Sequence, residues 1–123
     1  MEYLREFIMT EMKAGNYIVA GGDWNQNPPG FTDTKTNTGS GYENFILKAI
    51  PESFLDSEWS WVFDPKQATN RSLKTAFTTE TSSTVLDFFL VSPNITPLNI
   101  RTINMDFEYS DHHPVLIQLR IDQ

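Results

Sequence analysis

Residues 84–92 read Thr-Val-Leu-Asp-Phe-Phe-Leu-Val-Ser. A run that is apolar on both alternating faces has the pattern of an interior strand, so the fold must place a layer on each side of it. Asp87 is the exception within the run. An ionised carboxylate there costs on the order of several kcal/mol unless it is paired or hydrogen-bonded. Asp87 therefore needs a partner. A structural hydrogen bond to a backbone amide or an arginine satisfies that need, and so does a functional site; strand context alone does not separate the two.

The remaining elements are read around this strand. The opening MEYLREFIMTEMKAG places Leu4, Phe7, Ile8 and Met12 at helical spacing, with Gly15 as the stop. Asn16–Gly22 predicts a short buried strand running into Asp23, Trp24 and Asn25. From Gln26 to Gly41 the chain is rich in Pro, Gly, Thr, Asn and Ser, a long loop. Tyr42, Phe45, Ile46, Ala49 and Ile50 then repeat at helical spacing until Pro51 ends the helix. Ser60–Phe63 predicts a strand, and Asp64–Ser83 an irregular polar loop carrying Lys66, Arg71 and Lys74. Leu98–Met105 predicts a further strand whose apolar phase shifts between Ile100 and Ile103, the mark of a bulge. In the last strand, Val115, Ile117, Leu119 and Ile121 alternate with polar residues, which calls for one buried face. Short spacings between the final strands favour an α+β chain: a mainly antiparallel sheet with helices on one face. The 123 residues leave room for a single domain, and no repeat or linker divides them.

Sixteen acidic residues against nine basic ones give a net charge of −7, which opposes tight nonspecific binding to a nucleic-acid backbone. With no cysteine, any metal must use oxygen or imidazole ligands. The charges at Glu2, Arg5, Glu6 and Glu11 leave no apolar run long enough for a signal sequence or membrane span at the start. Nothing in the chain assigns a compartment.

Two further polar groups stand beside predicted strands. Asp23 and Asn25 follow the first strand, in GGDWN; Asp111, His112 and His113 precede the last, in SDHHPV. If the last strand runs antiparallel to its neighbours, these groups and Asp87 meet at one sheet end. Each group also has a local reading: Gly-Gly-Asp is a turn sequence, and Ser110 and Asp111 could simply satisfy nearby amides.

The ordered set GGDWN, TVLDFFLVS and SDHHPV resembles the C-terminal half of the endonuclease/exonuclease/phosphatase superfamily: Gly-Asp-x-Asn, then Asp before an apolar run, then Ser-Asp-His. The likeness spans the chain from its first helix onward. It implies half of a four-layer α/β/β/α sandwich, with residues 1–123 as the C-terminal half of such a domain. It also implies metal-dependent hydrolysis of a phosphomonoester or phosphodiester with Mg2+ or Mn2+. By the resemblance, Asp23 orients the attacking water and shares the metal with Asp111; Asn25 holds the phosphate. His112 contacts the scissile phosphate, and Asp87 accepts a hydrogen bond from its ring. His113 falls at a variable position, receives no role and is expected to be partly exposed. Trp24 is left between packing and stacking on a substrate, and Asn70 and Arg71 between a solvated loop and a substrate contact.

Complete members of that family carry an additional Asn and a metal-binding Glu in their N-terminal half, and neither motif is found in this sequence. Met1 is then read as a position internal to the family pattern, and the sheet face of the absent half as an apolar surface with Phe88 and Leu90, or Val85 and Phe89, uncovered. An N-terminal partner, a second copy in a homodimer or rearranged loops would cover it. A reading of another class stands beside the hydrolase: a catalytically silent fold fragment acting in self-association or binding. The fold does not choose among DNA, RNA, phosphoinositide and sphingomyelin as substrate.

Overall fold

The computed structural model describes residues 1–31 and 48–121. Helix α1 spans Glu2–Lys13. It ends in a Schellman motif: Gly15, at φ 88°, donates to Met12 O at 2.9 Å, and Asn16 donates to Glu11 O at 3.1 Å. The buried stripe is narrower than the sequence suggests. Ile8 is fully buried, with Leu4, Met9 and Met12 packed around the same cluster, whereas Phe7 faces outward at 61% exposure.

Three strands, β1 (Val19–Asp23), β2 (Ser60–Val62) and β5 (Asp87–Val91), make an antiparallel sheet in the order β1-β5-β2. Leu90 packs against Ile8, Leu55 and Trp59, while Phe88 packs against Ile50 and Val85. Trp24, Phe54 and Trp61 join the two clusters. The register pairs Ala20 and Trp61 with Leu90, which places all three on the face that α1 covers. Val19, Val62, Phe89 and Val91 lie on the other face, where Val19 is 47% exposed, Phe89 and Val62 are half-buried and Val91 is fully buried. Phe88 and Leu90 are thus covered within the chain, and so is Val85, which joins the cluster of Phe88 instead of sharing a face with Phe89.

The run at 84–92 is not one strand. It divides into β4 (Ser83–Thr84) and β5, joined by Val85 and Leu86. The break has a physical cause: Leu86 N–H and Asp87 N–H both donate to Thr69 Oγ1 and so leave the ladder, although Leu86 O still accepts from Trp24 N–H in register with β1. Asp87 consequently begins a strand, where its carboxylate can reach a sheet end, and is not enclosed within one. Strand β4 pairs with β3 (Asn70–Arg71), a short ribbon inside the segment expected to be irregular. Two residues per strand give no periodicity to read.

The final hairpin pairs β6 (Ile95–Thr102) with β7 (Val115–Ile121) as a two-stranded sheet of its own. Its register shift falls between Pro97 and Asn99, earlier than the sequence phase suggests, and Leu98 stands out there at 50% exposure. Val115, Ile117 and Leu119 are only half-buried and Ile121 is 52% exposed, so the face expected to be buried is not buried here. The two strands pair with each other and do not extend the larger sheet, while Thr102 N–H ties β6 to Asp64 Oδ2 at 3.0 Å. Of the helix read from Tyr42 to Ile50, residues 42–47 lie outside the described residues, and Lys48–Ile50 are not helical. Asn27 bridges Ala49 instead, with Ile50 N–H donating to Asn27 O at 2.9 Å. The described architecture is α+β: mainly antiparallel sheets and one N-terminal helix. Among the described residues, no helix is long and apolar enough to cross a membrane.

Candidate active site

Because β1 and β5 are antiparallel, the C-terminal end of one lies beside the N-terminal end of the other, and the register sets Asp23 directly across from Asp87. Like charges at such a cross-strand position destabilise a sheet unless a third group intervenes. The Gly-Gly sequence ahead of Asp23 has a local role in this. A Cβ on Gly21 would run into the Phe89 ring, and Gly22 sits at φ 143°. Beyond the strand, Asn25 adopts φ 51°, a left-handed conformation that Asn tolerates, and donates its N–H to Asp23 Oδ1 at 2.9 Å.

His112 is the intervening group. Asp87 Oδ2 lies 2.8 Å from its Nδ1, and Asp23 Oδ2 and Asp111 Oδ2 each lie 3.9 Å from its Nε2. Asp87 is the most enclosed of the three carboxylates, its side chain 17% exposed. An ionised Asp87 can only accept, so His112 Nδ1 carries the proton. Burial opposes charge on the ring; the hydrogen bond and charge of Asp87, then the charges of Asp23 and Asp111, outweigh it and hold the His112 pKa above the usual 6.5.

Asp23, Asp87, Asp111 and His112 are thus brought together. Asn25 joins them through its backbone bond to Asp23, and its side chain is exposed. Asn70, left undecided between solvent and substrate by sequence, lies inside the cluster. It is 6% exposed, and its Nδ2 is 3.0 Å from His112 Nε2 and 3.2 Å from Asp111 O. The strand that carries it was too short to be legible.

His113 departs from expectation. It is 4% exposed, stacked on Phe107 with ring centroids 3.7 Å apart, and its Nδ1 accepts from Met105 N–H at 3.3 Å. Successive residues of an extended segment point to opposite sides, so placing His112 in the site drives His113 into the aromatic cluster. Burial pushes the His113 pKa down, opposed by the nearby charge of Asp106. Trp24 is a packing residue: it stacks on Phe88 at 5.5 Å and donates Nε1–H to Phe88 O at 2.9 Å.

Among the described residues, no three His, Asp or Glu side chains are arranged as a metal-holding group. Asp23 Oδ2 and Asp111 Oδ2 each stand 3.9 Å from the same ring nitrogen, and carboxylate oxygens of this kind are the donors a hard cation takes. The fold and cluster define an α+β chain with an imidazole set among three aspartates. No protein-family model, curated protein or solved structure matches it.

Proposed function

We propose that this chain supplies the Asp/Asn, Asp and Asp-His part of a metal-dependent phosphoesterase site, as the C-terminal half of an endonuclease/exonuclease/phosphatase domain of four-layer α/β/β/α form. The observation that carries the reading is the convergence of Asp23, Asp87 and Asp111 on His112, in which two aspartates are paired across neighbouring strands. A purely structural network gains nothing from opposing carboxylates, whereas a hydrolytic site uses them in different roles.

In this reading Asp23 orients the attacking water and takes its proton. Asn25 holds a phosphate oxygen. His112, kept in register by Asp87 at Nδ1, stabilises charge developing on the phosphoryl group once its ring carries a second proton, which the surrounding carboxylates favour. Asp23 and Asp111 would hold Mg2+ or Mn2+. When bound, that cation neutralises charge between an anionic phosphoester and three carboxylates that would otherwise repel it. The substrate is a phosphomonoester or phosphodiester. A nucleic acid remains one candidate among several, and the net charge of −7 does not favour it.

The second reading, a silent fragment acting in self-association, is favoured by the part of the sheet face at Val19, Val62 and Phe89 that stays partly exposed beside the buried Val91. Either an N-terminal half or a second copy would cover it. A panel of phosphoesters with Mg2+ or Mn2+, run on this chain and on one extended by the coding sequence upstream, separates the two readings. Hydrolysis that depends on His112 supports the enzyme. Dimerisation without hydrolysis in either chain supports the fragment.

A further inference from the structure

The two halves of the Asp87–His112 pair come from distant parts of the sequence, and one dipeptide touches both. Thr69, fully buried, accepts at Oγ1 from Leu86 N–H at 2.9 Å and Asp87 N–H at 3.0 Å, fixing the backbone from which the Asp87 carboxylate projects. On its other side, Thr69 O accepts from His113 N–H at 2.7 Å, and Arg71 N–H donates to Asp111 O at 3.0 Å. These bonds flank the antiparallel bridge between Asn70 and His112. Residues 70 and 112 are therefore a non-hydrogen-bonded pair, the geometry in which facing side chains approach most closely.

The orientation of the Asn70 amide follows from its neighbours. Asp111 O can only accept, so the group 3.2 Å from it must be the amide NH2 and not its oxygen. That same Nδ2 lies 3.0 Å from His112 Nε2. Its two hydrogens can serve both acceptors, and the Nε2 lone pair receives one of them. The neutral ring is then held at both nitrogens: Nδ1–H donates to Asp87 Oδ2, and Nε2 accepts from Asn70 until a second proton at Nε2 breaks that bond.

We infer that Thr69 and Asn70 form a positioning bracket for the Asp87–His112 pair, Thr69 setting the height of the carboxylate and Asn70 fixing the ring plane of the imidazole. Neither is a catalytic residue: each acts through a group that would meet the substrate. The bracket stands on geometry alone; only its kinetic consequence rests on the phosphoesterase reading.

Nitrogen NMR of the labelled chain, in alkaline solution where the rings are neutral, tests it directly. The expected result is a protonated Nδ1 and an unprotonated Nε2 on His112, with a through-bond coupling between Nε2 and Asn70 Nδ2. Asn70→Ala and Asn70→Asp abolish that coupling and shift the Nε2 resonance. Thr69→Val weakens it by moving Asp87, whereas Thr69→Ser, which keeps the hydroxyl, restores it. The dispersed amide spectrum reports folding; should Thr69→Val unfold the chain, the Asn70 variants decide. A folded wild-type chain without the coupling, or an Nε2 resonance unmoved by Asn70→Ala, overturns the bracket. In a phosphoester-cleaving form, Asn70→Ala moves the His112 midpoint of the pH–rate profile upward, because the neutral ring loses the donor that Asn70 supplies to Nε2. If no form cleaves a phosphoester, the proposed function fails while the NMR result still decides the bracket.

Discussion

His112 and His113 are joined by one peptide bond and occupy opposite environments. The first lies among Asp23, Asp87 and Asp111, near a surface where water and ions can reach it. The second is sealed beside Phe107, itself packed against Phe77 and lying within 6.0 Å of the Arg71 guanidinium. Their pKa values move in opposite directions, up for His112 and down for His113. Side-chain chemistry is identical in the two cases. What differs is whether the counter-charge on the side each faces outweighs burial, as it does at His112 and does not at His113. One imidazole is therefore suited to chemistry and its neighbour to holding the hairpin in place.

The largest expected effect tests the functional side of that contrast. His112→Ala should lower phosphoester hydrolysis by about 10²–10³-fold in an active form, the range for removing one charge-stabilising donor. The melting temperature should fall as well, because Asp23 and Asp87 then face each other without the intervening ring, and unaltered turnover of the folded chain would remove His112 from the site. His113→Ala should affect stability alone. Emptying its place beside Phe107 should cost on the order of 2 kcal/mol of stability in denaturant titration, with per-molecule activity of the folded fraction retained. A variant as stable as the parent would mean that the aromatic stack contributes nothing.

A smaller effect concerns pH. Proton NMR should find the His112 midpoint above 6.5 and the His113 midpoint below it. A raised folded pKa contributes stability that is fully present below 6.5 and is lost as pH rises through the folded value. For His113 the folded pKa is depressed, so the neutral ring is the stabilised form. Its contribution is present above 6.5 and is lost as pH falls toward the folded value. Asp87→Asn should move the His112 midpoint down and leave that of His113 in place; a joint shift would show that the two environments are coupled. The smallest signal is expected from metal. With two carboxylates proposed as ligands and no metal-holding group of three His, Asp or Glu side chains among the described residues, Mg2+ should bind this chain weakly, at about millimolar concentration or above. Tight binding by calorimetry would place further ligands at the site.

Several features were legible in the sequence because they are local. The first helix with its Gly15 stop, the polar residues at the ends of the first and last strands, and the bounds of the last strand follow from periodicity and turn chemistry. So does the demand that Asp87 find a partner, since the cost of a lone carboxylate in an apolar run does not depend on the rest of the fold. The partner itself, His112, was named from a resemblance, and the structure places it at 2.8 Å. The exposure of Phe7, the early bulge at Leu98 and the half-open face of β7 were not legible, because each depends on which neighbour stands opposite.

The sequence by itself determined which groups must avoid isolation: Asp87 in its apolar run, and polar residues clustered at Asp23 and Asp111. Tertiary structure alone decided who stands beside whom. It broke the run at 84–92, because Thr69 Oγ1 draws two amides out of the ladder. It buried His113 and placed Asn70 against His112, because a two-residue strand aligns residues 42 positions apart. Such a strand has too few residues to carry a periodic signal, and its hydrogen bonds exist only once both partners are folded.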